Sequence, residues 1–434
     1  MSKIAIIGAG ISGLAAGYYL SRKHSVSVFE SEPRLGGHTN TVTVDSSIGP
    51  LPIDTGFIVH NHRTYPNLVR LLRELGVQTQ DSDMSFAVSC PENGFEYSSR
   101  GMAGFLGHGA NLLRPLSYEL LREIIRFNRL APRYLDRPEN LNTTLGDFLD
   151  ECHFQGAFLD YYLFPMASAV WSASTSTIRS FPAQTLIRFF ENHGMLGIDT
   201  HPQWKTVRGG SNRYLAPLSA PFRDRIHLYA RLTSIDRYPS GVTLNFSDRP
   251  SMNFDDVVFA CNCDRVLPLL SNPTVAERDV LKHFTTSRNE TCLHTDSRLL
   301  PRRGGARASW NYNLHLNNGH AATVTYHMNR LQSLPVEEDY CVTLNANAAI
   351  DPAKVIRRMT YFHPLFTAEA IRAQSRWSEI SGQNRTHFAG AYWFYGFHED
   401  GLNSALRVAA ALGVNASAST HAVHSGEAAL GATA

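Results

Sequence analysis

The stretch Lys3-Ile-Ala-Ile-Ile-Gly8-Ala-Gly10-Ile-Ser-Gly13-Leu-Ala-Ala-Gly17-Tyr-Tyr-Leu20 constrains this chain more than any other. A run of strand formers leads straight into Gly-x-Gly-x-x-Gly, and residues that suit a helix follow. Gly8 permits a tight turn, Gly10 lets the backbone approach a pyrophosphate, and Gly13 lets helix and strand pack closely. The free N–H groups of the first helical turn, at Ile11, Ser12 and Gly13, then face the phosphates together with the positive end of the helix dipole. A second strand, Ser25-Val-Ser-Val-Phe29, runs into Glu30 and Ser31. That places a carboxylate about 20 residues beyond the glycines, where such a fold uses one to accept from ribose hydroxyls. The order strand, glycine loop, helix, strand, acid predicts a dinucleotide site.

With 434 residues the chain has room for more than one domain, and 43% hydrophobic against 18% charged residues provides ample core. A net charge of +2 over this length disfavours a polyanionic partner, so nucleic acid is not expected. The cysteines (Cys90, Cys152, Cys261, Cys263, Cys292 and Cys341) form no Cys-x-x-Cys pair. The near pair at 261 and 263 follows an apolar strand, so no metal site is expected. This usage predicts a reduced, cytoplasmic setting. The glycines inside residues 4–20, with no small-residue cleavage site before Glu30, speak against an export signal. No stretch approaches the length of uninterrupted apolar sequence that a membrane-spanning helix requires.

Beyond Glu30 comes Pro33-Arg34-Leu35-Gly36-Gly37-His38-Thr39. Paired glycines suit a second close approach of backbone to ligand, with Arg34 available to a phosphate, although alone they suit a surface turn equally well. Short strands at 41–44 and 51–54 then lead into Asp54-Thr55-Gly56-Phe57-Ile58-Val59-His60.

Taken together, Gly8-x-Gly10-x-x-Gly13, Glu30, Arg34-x-Gly36-Gly37 and Asp54-x-Gly56 resemble the FAD-dependent amine-oxidase-like flavoproteins, which include protoporphyrinogen oxidase and the phytoene desaturases. Within them the chain looks most like bacterial predicted NAD/FAD-binding proteins associated with cyclopropane fatty acid synthase. The shared stretches include Thr64-Tyr-Pro-Asn67, Pro202-Gln-Trp204, Ser309-Trp-Asn311 and Gly390-Ala-Tyr-Trp393. A departure is His38, where the amine oxidases usually carry arginine. The resemblance implies FAD as cofactor, touched by Gly8, Gly10, Ile11, Ser12, Gly13, Glu30, Ser31, Arg34, Gly36, Gly37, His38, Thr39, Thr55, Gly56 and Phe57. It also implies contacts from Leu232 on the adenine side, and from Gly390, His398, Glu399, Asp400, Gly401 and Leu402 along the ribityl chain and flavin ring.

The expected fold is α/β: a doubly wound, Rossmann-like FAD domain from 1–83, 202–284 and 378–415, and a mixed α+β substrate domain from 84–201 and 285–377. Residues 61–83 read as a helix ending at Gly76, the block from 84 to 200 as mainly helical, and Pro352-Ala-Lys-Val-Ile-Arg-Arg358 as an exposed helix. Residues 416–434 read as a disordered tail. The aromatic, apolar block around Tyr161–Trp171 suits a core, and at this place in the family it implies an apolar pocket wall.

Amine oxidases commonly place a lysine beside the flavin, yet Lys354 is the only lysine between 283 and 380. His398, His60 and His294 are candidates for proton transfer, and Tyr392 and Tyr395 for the catalytic wall. Each histidine suits a structural, hydrogen-bonded role as well. The expected activity is removal or relocation of hydride on an apolar, unsaturated or lipid-like small molecule, by desaturation or double-bond isomerisation. Amine or amino-acid oxidation, and a flavin-binding accessory role beside a lipid-modifying enzyme partner, remain as alternatives.

Overall fold

The computed structural model describes residues 1–135, 143–171, 175–197, 202–315 and 321–415; the expected tail lies outside them. Its organising layer is a five-stranded parallel sheet in the order Ile226–His227, Ser25–Phe29, Lys3–Ile7, Asp256–Phe259, Thr386–Phe388. Such a sheet must be covered on both faces, which is why Ile4 through Ile7 and Val257 through Phe259 are unbroken apolar runs. Helices Ile11–Leu20 and His398–Ala411 pack together against the sheet. The antiparallel meander Leu232–Tyr238, Gly241–Phe246, Met252–Phe254 packs beside it. Phe29 joins these layers, with its ring 5.3 Å from Phe246 and 5.7 Å from Phe254.

A second, seven-stranded sheet runs Val355–Pro364, Thr286–His294, Cys341–Leu344, Ala321–His327, Trp310–His315, Phe86–Cys90, Phe95–Ser98. Neighbours are antiparallel except Trp310–His315 beside Phe86–Cys90. Helices Pro115–Tyr134, Leu145–Glu151, Phe164–Trp171 and Ala183–Asn192 bury a common aromatic core. Phe127 stands at its centre, between 5.3 and 6.5 Å from Phe148, Phe154, Phe158 and Phe190. Aromatic pairs at such separations add to the burial they already provide.

Three local expectations are corrected. The helix expected over 61–83 is confined to Pro66–Glu74, started by proline at its first turn and stopped before Gly76 at φ +68°. Strand Thr79–Ser82 follows it. The block expected to be helical opens with the hairpin Phe86–Cys90 and Phe95–Ser98, whose turn carries Asn93-Gly94, a hairpin signal in its own right. The helix expected at 352–358 is a single turn, Pro352–Lys354, leading into the long strand Val355–Pro364. There the β-branched Val355 and Ile356, and pairing with Thr286–His294, outweigh the helical spacing of the basic residues.

Candidate functional site

At the carboxyl end of the parallel sheet the two glycine loops clasp each other. Gly8 turns at φ +104°, where a Cβ would stand 2.7 Å from the Ala260 carbonyl oxygen. A Cβ on Gly13 would stand 1.9 Å from the Gly8 carbonyl oxygen, so helix and loop close only around glycine. Gly36 donates its N–H to the Ala9 carbonyl at 2.8 Å, and a Cβ on Gly37 would lie 3.2 Å from Gly10 Cα. Around the Cβ position of Gly10 itself there is no atom within 4 Å. Glu30 leans over this loop, accepting from Ala9 N–H at 2.8 Å, Glu32 N–H at 2.9 Å and Ser31 Oγ at 3.2 Å. Beside it the chain returns through Ala230, whose N–H donates to the Glu30 carbonyl at 2.8 Å, to half-buried Leu232. The guanidinium of Arg34 braces its own loop, donating to the carbonyls of Gly37 at 2.8 Å, Thr39 at 3.2 Å and Leu35 at 3.3 Å.

The C-terminal segment meets the same place. A Cβ on Gly401 would lie 2.7 Å from Ile11 Cγ2 and 2.9 Å from Ser12 Oγ, so the starts of helices Ile11–Leu20 and His398–Ala411 touch. Gly390 donates its N–H to Ser404 Oγ at 2.8 Å, and Leu402 is fully buried. Two helix N-termini therefore converge where negative charge is stabilised. The acids of the second helix serve other ends. Glu399 accepts from the N–H groups of Asn67 at 3.0 Å and Leu68 at 2.8 Å, capping helix Pro66–Glu74. Asp400 accepts from Phe397 N–H at 2.8 Å, and burial pushes its carboxyl up to about 7.

A polar aromatic cluster joins these segments to the second sheet. His398 Nε2 bonds Thr39 Oγ1 at 2.9 Å and Tyr214 OH at 3.0 Å, and the two hydroxyls bond each other. Its ring stacks on Phe57 at 3.7 Å. Phe57 donates its N–H to the His38 carbonyl at 2.7 Å, and a Cβ on Gly56 would stand 2.1 Å from that oxygen. Thr55 Oγ1 and Asn40 Nδ2 both meet Tyr361 OH at 2.8 Å. The Tyr361 ring stacks on His38 with centroids 5.2 Å apart, and His363 lies 5.2 Å from His38. Asn289 donates to His363 Nδ1 at 2.8 Å. His38 Nε2 and His60 Nδ1 are buried without a partner among the described residues.

Of the remaining candidates, Tyr392 and His294 lie elsewhere, while Tyr395 stands beside Asp400. Tyr392 is 3% exposed and packs on Phe284 and Trp393 in the apolar core around the parallel sheet. Tyr395 is half-buried, and burial raises its hydroxyl above the usual range. His294 is buried inside the second sheet, bonded to Thr343 Oγ1 at 2.7 Å. Sequence reasoning missed Asn40, Tyr214, Asn289, Tyr361 and His363. A period-two reading of Tyr361-Phe-His363 would have put the last two on one strand face. It also missed what Asp54 does: the carboxylate accepts from Thr41 Oγ1 at 2.6 Å, Ser211 Oγ at 2.8 Å and Ser211 N–H at 2.9 Å. It thereby ties the hairpin to the Gly209-Gly210 loop, and burial pushes it up to about 6.

These buried groups give the fold a pH signature. Burial lowers His60, His294 and His387 from 6.5 to about 4, and holds His398 well below its usual value. All are neutral when folded and free to protonate when unfolded. Their contribution is complete above pH 6.5 and is lost as pH falls through about 4. His60, His294 and His387 are each worth roughly 3 kcal/mol. The raised carboxyls Asp54 and Asp400 act oppositely, losing stability as pH rises from 3.8 through about 6 and 7. The imidazoles outnumber them, so the melting temperature is expected to fall steadily on acidification from pH 6.5 to about 4. A melting temperature that rises over that interval would contradict this.

A parallel sheet carrying two clasped glycine loops, two converging helix N-termini and an acid after its second strand defines a dinucleotide-binding fold. The open space at Gly10, and the unpartnered Nε2 of His38 one loop away, fit a bound dinucleotide. Residues 11–413 match the family described as flavin containing amine oxidoreductase, and the chain belongs to that family, whose cofactor is FAD.

Among curated proteins, the "Putative flavin-containing monoamine oxidase" of Mycobacterium tuberculosis is 26% identical over 247 residues, 56% of this chain and 53% of its own. An uncharacterized protein of Methanocaldococcus jannaschii is 29% identical over 156 residues, 34% of each chain. The chain thus spans between 34% and 53% of the length of the curated relatives it matches. Among solved structures, putrescine oxidase bound to putrescine aligns with a TM-score of 0.68 at 16% identity, covering 95% of this chain and 99% of that one. A fatty acid isomerase from P. acnes that produces CLA aligns with a TM-score of 0.68 at 17% identity, covering 94% and 98%. These structural likenesses speak to the fold. The protein has the α/β architecture of that flavin-containing family.

Proposed function

We propose that this oxidoreductase removes or relocates hydride on a long, apolar, unsaturated molecule, by desaturation or double-bond isomerisation. The observation that carries this reading is where the lysines are. Lys205 is paired with Asp81 at 2.6 Å, Lys282 with Asp279 at 2.6 Å, and Lys23 donates to the Gly413 carbonyl at 2.6 Å. Lys354 lies 4.0 Å from Asp296, and Lys3 starts its strand at the end of the sheet away from the glycine loops. Lys205 stands opposite His60 in the strand register, but its ammonium is held by Asp81, and no hydrogen bond or ion pair joins a described lysine to His38, Tyr361 or His363. The aromatic core of the second domain also supports an apolar substrate.

FAD, when bound, supplies the hydride acceptor. The chain's part is to bind and orient it with the backbone at Gly10, Gly36, Gly37 and Gly401, and to exclude water with Phe57 and the buried His398–Thr39–Tyr214 triad. Nε2 of His398 is committed to that triad. His38 Nε2 and His60 Nδ1 are free to hold a proton, and we assign proton transfer to them. Tyr392 has a core role in this reading, and Tyr395 a wall role.

The test is the visible spectrum of the flavoprotein, recorded anaerobically with unsaturated and cyclopropane fatty acyl lipids, together with product analysis. Bleaching by a lipid, or a lipid product with a shifted double bond, is expected. Bleaching and peroxide release with simple amines, and neither change with lipids, would overturn the proposal.

A further inference from the structure

Of the eleven large hydrophobic side chains left exposed among the described residues, five fall between 102 and 125: Met102, Leu112, Leu113, Tyr118 and Ile125. Leu113 is 94% exposed, Met102 58% and Tyr118 55%. Scattered exposed apolar residues need no explanation, but a cluster of this kind does.

The cluster is built on ordered backbone. Helix Pro115–Tyr134 turns Leu120, Phe127, Ala131 and Tyr134 inward to the aromatic core. Its outer face carries Tyr118, Arg122, Ile125 and Arg129, at spacings of four, three and four residues, which align on one side of a helix. The turn bearing Leu112 and Leu113 is fixed to that face, because Tyr118 OH donates to the Leu112 carbonyl at 2.7 Å. Asn111, buried beside it, donates to the carbonyls of Glu96 at 2.8 Å and Phe105 at 3.2 Å, and so holds the turn to the Met102 helix.

The charge on this surface is one-sided. Arg100, Arg122, Arg129 and Arg133 are exposed, and Glu119 is the exposed acid among them. Glu123 is shielded, taken up by Arg126 at 2.8 Å and Arg122 at 3.1 Å. Protruding leucines at one end, a tyrosine at the boundary and arginines along the same helix face match the layers of a bilayer surface: acyl chains, interface, anionic headgroups.

We propose that residues 100–133 dock this protein onto membranes containing anionic phospholipid, by shallow insertion of Leu112, Leu113 and Met102 with arginine contacts to headgroups. No helix among the described residues is long and apolar enough to cross a membrane, so the attachment is peripheral. This inference stands apart from the substrate reading, because it needs no turnover.

The experiment is co-sedimentation of the FAD-loaded protein with vesicles of phosphatidylcholine alone, or mixed with phosphatidylglycerol. Binding is expected to the mixed vesicles and to weaken as salt is raised. Leu112→Glu with Leu113→Glu, and separately Arg122→Glu with Arg129→Glu, should each lower partitioning by about tenfold or more. Val275→Glu, at an exposed apolar residue elsewhere, should leave it unchanged. Circular dichroism of each variant checks folding. Wild type remaining in solution with both vesicles would overturn the proposal. So would variants that still bind, or a self-association without vesicles that the leucine substitutions abolish, which would mark the face as a contact between copies.

Discussion

Gly10→Val is expected to yield a folded protein that no longer holds FAD. Gly10 has φ −75° and ψ −176°, an extended conformation that valine adopts freely. A side chain there meets no atom of the protein within 4 Å, so the stability of the unliganded chain should be nearly unchanged. The same open space is the approach to the converging helix N-termini, and a branched side chain in it keeps the pyrophosphate off the backbone. A weakening of at least about a hundredfold, or roughly 2.7 kcal/mol, is expected. Gly13→Ala makes the contrast, because its Cβ would sit 1.9 Å from the Gly8 carbonyl oxygen. Backbone must move to relieve that contact, so stability and FAD retention should fall together. FAD per chain after purification, read beside the melting curve, separates the two. Stoichiometric FAD in Gly10→Val would refute the placement of the pyrophosphate.

Arg237→Ala should destabilise the fold by about 3–5 kcal/mol, since it strands a buried carboxylate. The Arg237 and Glu277 side chains are 3% and 2% exposed. Their bidentate pair has N···O distances of 2.5 and 2.9 Å. Arg237 also donates to the Asn272 carbonyl at 2.7 Å and to Thr386 Oγ1 at 3.3 Å. It thus links the antiparallel meander, helix Val275–Leu281 and the last strand of the parallel sheet. Removing both charges with apolar residues of similar volume should cost much less than removing the arginine alone. Urea unfolding of the single and paired variants checks this, and a single variant as stable as the pair would contradict it.

How far the site could be read in advance depended on whether its chemistry was local. Glycine loops announce themselves because a turn, a close approach and a helix start must fall within a few residues. Glu30 was legible for the same reason, standing at the end of a recognisable strand. Glu399 and Asp400 were legible only through the family resemblance, as expected cofactor contacts. That Glu399 caps a helix beginning at Pro66 is invisible in the sequence, because the partners are backbone N–H groups more than 300 residues away. Tyr361 was hidden likewise: its partners Asn40 and Thr55 lie over 300 residues upstream, and its strand begins with residues that imitate an exposed helix. The second domain's aromatic core was legible as composition, but its opening hairpin was passed over although Asn93-Gly94 marks it.

The strand order of the parallel sheet has a consequence for how the protein is made. Lys3–Ile7 lies in the middle of the sheet, yet its neighbour Asp256–Phe259 is synthesised some 250 residues later, and Thr386–Phe388 later still. The glycine loop therefore leaves the ribosome early and waits, with its partner helix His398–Ala411 among the last described elements to emerge. Contacts between such distant segments form slowly. If FAD is held at both helix ends, as proposed above, its capture must wait until residues 398–411 have emerged, and so falls late in synthesis.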